Sequence, residues 1–182
     1  MLTGKKIVLG VSGGIAAYKM ANVASMLSKL HADIHVVMTE NATHFITPET
    51  FEVLTGNHCY TDTFDRCMEL HVPHIALGTQ ADAILIAPAS ADVVGKIANG
   101  IADDMLTTCV LPATCPVMLA PSMNVHMYEN PIVQDNMKKL VSYGYEIIEA
   151  DEGYLACRDI GKGKLPPEHV LVDYIIRACA MD

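Results

Sequence analysis

No CxxC pair occurs among the six cysteines at positions 59, 67, 109, 115, 157 and 179, so neither a zinc site nor a redox dithiol has the ligand spacing it needs. A chain of 182 residues without a secretory leader has no need of a disulfide framework, and most of these thiols are expected to be small buried hydrophobes. Lys and Arg gather into no stripe: 12 basic residues stand against 21 acidic ones, a formal net charge of -9, so no nucleic-acid partner is expected. No apolar run reaches membrane-spanning length. The start, "MLTGKKIVLGVSGG", carries two lysines before a short apolar run that breaks into glycines without a small-residue cleavage site, which sets the expectation of a mature cytoplasmic start. The nearest approach to a metal pair is "HVPH", His71 and His74 around Pro73, and nothing completes a coordination set; no metal is expected. Repeats, low-complexity tracts and a dividing linker are also missing, so one domain over 1–182 is expected.

What is present is a core. Hydrophobic residues make up 51% of the chain and charged ones 18%, the balance of a globular protein. Five short apolar or β-branched runs, at 5–11, 33–39, 83–89, 116–122 and 145–150, read as strands. Between the first two, Val23, Met26, Leu27 and Leu30 recur with the spacing of one buried helix face, and shorter helical patterns follow at 90–111, 131–142 and about 167–179. Near-continuous apolar strands alternating with helices imply a single-domain, three-layer, doubly wound α/β fold, Rossmann-like or flavodoxin-like, with a parallel sheet covered on both faces.

In such sheets ligands bind beyond the carboxyl ends of the strands. After the first strand, Ser12, Gly13 and Gly14 of "GVSGGIAAYK" lead into a helix whose first amides favour an anion, phosphate being the natural one. The turn is neither a Walker loop, since Lys19 has no GK[ST] setting, nor a GxGxxG dinucleotide turn; a plain tight connection stays open as the alternative. The second strand ends at Thr39 and Asn41, the third at "APASAD" with Ser90 and Asp92, the fourth at Ser122 and Asn124. Each of these serves equally well as a helix cap, yet their convergence on one edge points to a site. Near the end, "GYLACRDIGKGKLPP" (153–167) sets Cys157 among glycines and prolines.

Taken in order, "GVSGGIAAYK", "APASAD" with "KIANGIADDMLT", "PSMNVHMYENP" and "LACRDIGKGKLPP" resemble the flavin-containing cysteine decarboxylases over nearly the whole chain, and among them the branch that acts on 4'-phosphopantothenoylcysteine in coenzyme A biosynthesis. The PxMNxxMY and ACxxxGxGx blocks are the specific parts. The resemblance implies FMN lying against Ser12, Gly13, Gly14, Thr39, the turn Pro88, Ala89, Ser90 and Ala91, and Ser122, often at a subunit boundary of a trimer or an assembly of trimers. It implies a catalytic histidine in "HIALGTQAD", here His74 and not His71. It implies that Asn124 holds the substrate carboxylate, with Met123, Ala156 and Lys164 also at the substrate, and that Cys157 donates a proton from a mobile flap at 153–167.

The chemistry implied accounts for these residue types. Loss of CO2 from a cysteine-derived carboxylate leaves an unstabilised carbanion unless the thiol is first oxidised to a thioaldehyde, which FMN accomplishes; the ene-thiolate is then protonated at carbon and a hydride returned. His74 orients or deprotonates the reacting groups, as imidazole does near neutral pH. Arg158 stands where the family usually has glycine, and Lys164 where arginine is common, which loses the bidentate fork. Two other readings remain open: an oxidative decarboxylase of a peptide's C-terminal cysteine, which needs no protonation and reduction and so no Cys157, and an FMN-binding regulatory or scaffold subunit. A flavin prenyltransferase fits neither PxMN nor the cysteine flap. The end of the chain at Asp182 sets the expectation that a phosphopantothenate–cysteine ligase is a separate protein.

Overall fold

The computed structural model describes residues 2–64, 72–154, 156 and 159–180. Six strands form one sheet: β1 (Lys6–Val11), β2 (Asp33–Met38), β3 (Cys59–Tyr60), β4 (Ala83–Ala89), β5 (Val117–Pro121) and β6 (Glu146–Ile147). They lie in the order β3-β2-β1-β4-β5-β6, and every pairing is parallel. The five expected runs are β1, β2, β4, β5 and β6, although β6 is only two residues long. The two-residue β3 carries no periodicity a sequence could display.

Both faces of the sheet are covered, which is why its central strands are apolar throughout; all seven residues of β4 are buried. Along β1, Ile7, Leu9 and Val11 face one core and Val8 the other. The first core is closed by α1 (Lys19–Lys29), α2 (Pro48–Thr55) and α8 (Glu168–Cys179), the second by α3 (Pro73–Gln80), α4 (Ala91–Ala98), α5 (Met105–Val110) and α7 (Pro131–Ser142). On α1 the buried stripe is Met20, Val23, Ala24 and Leu27, one turn earlier than the sequence spacing suggested; Met26 and Leu30 are only partly covered. Each large aliphatic side chain so buried stabilises the fold by about 1.5–3 kcal/mol.

The helical pattern at 90–111 is two helices, not one. Gly100 adopts φ 68° between them, a left-handed conformation that ends a helix, and Asp104 restarts the chain with a capping box to Thr107. The segment at 153–167 is not a plain loop either. β7 (Asp151–Tyr154) and β8 (Ile160–Lys164) pair antiparallel as a hairpin, with Tyr154 opposite Ile160, and β8 rests on the short helix α6 (Val125–Tyr128).

From β1 the chain turns to α1 on one face, and from β4 to α4 on the other. The two neighbouring strands therefore send their connections apart, and a crevice opens between their carboxyl ends.

Candidate active site

Ser12 ties the crevice floor together. It is fully buried, its Oγ donates to the Pro88 carbonyl at 2.6 Å, and the same oxygen accepts from the Ser90 amide at 2.9 Å. The hydroxyl thus joins the ends of β1 and β4 and shapes the floor from beneath, as does Ala89, also fully buried. Gly13 is required by close approach: a Cβ there would lie 2.5 Å from Cβ of Asn41. Gly14 faces open space, where a Cβ would meet only Pro88 Cγ at 3.9 Å.

Thr39 and Ser90 are caps, as the alternative allowed. Thr39 Oγ1 accepts from Ala42 N at 3.3 Å and Ser90 Oγ from Val93 N at 3.3 Å. Capping uses an oxygen lone pair, so it leaves the hydroxyl proton available for a ligand.

Two adjoining clefts occupy the crevice. The first, about 290 Å³, is lined by Gly13, Gly14, Pro88, Ser90 and Ala91 on one side and by Ser122, Met123, Asn124, Ala156 and Gly163 on the other. The second, about 440 Å³, shares Gly13, Ser90 and Ala91 and runs on to Thr39, Asn41, Asp92 and Lys96. Lys96 lies 3.1, 3.4 and 3.5 Å from the carboxylates of Asp103, Asp92 and Asp104, and the hydrogen bond to Asp103, followed by the charges of the other two, holds its ammonium above the usual lysine range. A larger open cleft of about 650 Å³ lies beside α7 and β8 and holds none of the residues expected at the cofactor or substrate, though Tyr128 of the PxMNxxMY block lines it.

The flap is stitched to the end of β5. The Gly163 carbonyl accepts from Met123 N at 3.0 Å and from Ser122 Oγ at 3.2 Å, and Gly163 has φ 143°, which only glycine adopts without strain. Gly161 lets β8 lie on α6, since a Cβ there would come 2.6 Å from Val125 Cγ2. Asn124 caps α6 by accepting from His126 N at 2.9 Å, and its Nδ2 donates to Asp159 Oδ2 at 2.9 Å. Asp159 carried no motif of its own in the sequence beyond its place two residues after Cys157. Lys164 is on β8 with an exposed side chain. Cys157 and Arg158, with His71 and Cys67, lie outside the described residues.

His74 opens α3 just after Pro73, half-buried, with its Nδ1 buried and without a hydrogen-bond partner among the described residues. The residues lining the two clefts do not include it. Because α3 leads into the amino end of β4, its first turn points back toward the carboxyl edge of the sheet, the edge that bears the crevice.

The family description "Flavoprotein" matches residues 1–180. The chain belongs to the flavoprotein family.

This flavoprotein is 49% identical over 172 residues to the coenzyme A biosynthesis bifunctional protein CoaBC of Bacillus subtilis, covering 94% of the chain and 42% of that protein; it thus spans less than half of the bifunctional relatives it matches. With a Streptococcus mutans protein named "Probable phosphopantothenoylcysteine decarboxylase" it shares 42% identity, over 94% of the chain and 97% of that protein. Among solved structures, a cysteine-to-serine variant of PPC decarboxylase complexed with pantothenoylaminoethenethiol superposes with a TM-score of 0.85 at 28% identity, covering 95% of this chain and 97% of that one. The FMN-dependent cysteine decarboxylase SpaF superposes with a TM-score of 0.83 at 34% identity, covering 98% and 99%.

Proposed function

We propose that this flavoprotein is an FMN-dependent decarboxylase that converts 4'-phosphopantothenoylcysteine to 4'-phosphopantetheine in coenzyme A biosynthesis. The observation that carries the reading is a single cleft holding the Asn124 amide, a floor of glycine and alanine, and a flap strand bonded to Met123. The name of the Streptococcus mutans relative supports the same substrate, and that of the Bacillus subtilis relative the same pathway.

The residues present fit FMN. Gly13, Gly14, Pro88 and Ala91 offer a flat ring system a floor of backbone and small side chains, and Gly14 has open space where a Cβ would stand. Thr39, Ser90 and Ser122 supply hydroxyls around it, while Ser12 and Ala89 support the floor from below. Bound FMN supplies a two-electron acceptor for oxidising the substrate thiol and a source for returning the electron pair.

The chain's own groups do the rest. Asn124 Nδ2 holds the substrate carboxylate until it leaves as CO2. Cys157 gives a proton to carbon of the ene-thiolate that remains, and the hairpin over the cleft keeps water out. Met123 and Ala156 bound the substrate on that side, and Lys164 supplies a charge at the flap. His74 is the acid–base group for the reacting thiol. Since it stands outside the lining of its own clefts, with Val72 and Ile75 exposed beside it, it reaches substrate when a neighbouring copy brings α3 to the crevice. The working unit on this reading is a homo-oligomer, a trimer or an assembly of trimers, in the cytoplasm, with its substrate supplied by a phosphopantothenate–cysteine ligase activity.

The test is CO2 release from 4'-phosphopantothenoylcysteine by purified protein and by His74→Asn. The variant is expected to keep its bound FMN and lose activity by a factor of about 10² or more. Full activity in His74→Asn would remove the histidine from the mechanism, and FMN-loaded protein that releases no CO2 would leave a binding or scaffold role.

A further inference from the structure

Asn124, on the wall of the first cleft, and Asp159, at the start of the flap strand, meet in a defined sense. Acceptance from His126 N at 2.9 Å fixes which way the Asn124 amide faces, so Nδ2 is the atom directed at the flap, where it donates to Asp159 Oδ2 at 2.9 Å. Asp159 immediately precedes β8, a strand already held to the cleft through the Gly163 carbonyl. A carboxylate of the chain itself thus sits on the amide that, on the reading above, holds the carboxylate of the substrate.

We propose that Asp159 occupies the substrate-carboxylate position on Asn124 when no substrate is bound, and that a carboxylate-bearing ligand displaces it while the decarboxylated product does not. The inference rests on the substrate assignment above. Exchanging one carboxylate for another conserves a charge-assisted hydrogen bond at Nδ2, so displacement is close to balanced. Two carboxylates at one amide repel, so the exchange goes to one occupant or the other. The strand β8 need not leave its anchors, because only the residue before it has to swing. Once CO2 has gone, the product has no group to compete with, Asp159 returns to Nδ2, and the flap is reset in favour of a new substrate over the spent one. Asp159 acts through Asn124 and touches no reacting atom, so it is a specificity and positioning residue.

The test uses the FMN-loaded full chain and two unreactive ligands followed by flavin fluorescence. S-methyl 4'-phosphopantothenoylcysteine keeps the carboxylate but has no thiol to oxidise, and S-methyl 4'-phosphopantetheine lacks the carboxylate. In Asp159→Ala the first ligand is expected to bind about 5- to 10-fold more tightly, the gain of removing one competing charge-assisted hydrogen bond, with the second unchanged. Asp159→Asn, which keeps the shape of the flap, should show a smaller gain in the same direction. Weaker binding of the carboxylate ligand, or an equal change for both ligands, overturns the proposal, because Asp159 then merely orients Asn124 or props the flap. Turnover of 4'-phosphopantothenoylcysteine by the unmutated protein, followed in parallel, separates the two readings. CO2 release without a selective gain in the variants overturns this inference alone. No CO2 release and no binding of either ligand removes the substrate assignment and the inference with it.

Discussion

Asn124 uses the two ends of its amide for different tasks: the oxygen caps α6 through His126 N, and the nitrogen donates to Asp159 of the flap. Asn124→Asp keeps the capping oxygen but replaces the donor with a charge that repels both Asp159 and a substrate carboxylate. Its kcat/KM is expected to fall by about 10² or more, with FMN absorbance and melting temperature held, since a half-buried polar contact is lost without loss of the cap. From sequence, cap and ligand are rival explanations of the same asparagine; in the fold they are compatible because they engage different atoms. The same holds for Thr39 and Ser90, whose capping is legible and whose place beside one crevice is not. Burial, reinforced at Cys59 by nearby Glu52, pushes the thiols of Cys59 and Cys109 up to about 12. A folded-state value above the unfolded thiol's 9.0 favours the neutral thiol, so its contribution to stability is complete below pH 9 and is lost as pH rises from 9 toward 12. At pH 8.5 both thiols are expected to react with iodoacetamide at least about 10²-fold more slowly than a free cysteine, followed by peptide mass mapping. Rapid native labelling of either would contradict their burial.

At the scale of elements, two glycines separate stability from substrate capture. Gly78 packs α3 on α5, where a Cβ would lie 2.3 Å from the Cys109 carbonyl oxygen, an atom that cannot retreat. Gly78→Ala is expected to cost about 1–3 kcal/mol and lower the melting temperature by several degrees. Gly161 performs the same service between β8 and α6, outside the two main cores. Gly161→Ala is expected to lift the flap strand, raising KM about 10-fold with little change in melting temperature, a shift worth about 1.4 kcal/mol. Val125→Ala in the same chain should restore KM, since it removes the clashing methyl groups. Unrestored KM in the double variant would mean that Gly161 acts otherwise than by this contact. The strands β1, β2, β4 and β5 are legible because burial on both faces leaves unbroken apolar runs. The hairpin is not, because its glycines read locally as turns and it is held by docking on Met123 and α6. Helix α3 escapes for a similar reason: Gly78, a poor helix residue, is there for contact with a partner 31 residues away in sequence.

For the whole molecule, the decisive feature is where the sheet changes direction. β1 and β4 are neighbours whose connections diverge, so Gly13 and Gly14 from one end of the chain face Pro88 and Ser90 from its middle, and β5 adds Asn124 with the flap behind it. The fold class follows from the alternation of elements, but the crevice is a property of strand order, which no single segment encodes. His74 on α3 stands at the same edge yet outside these clefts, which makes assembly part of the proposed activity rather than an accessory to it. The most direct measurement is mass spectrometry of the product formed from 4'-phosphopantothenoylcysteine by the FMN-loaded protein and by Cys157→Ser. Loss of CO2 to a saturated 4'-phosphopantetheine is expected, with the variant stopping two hydrogens short. An ene-thiol from the unmutated protein, or no product at all, would contradict the proposed function.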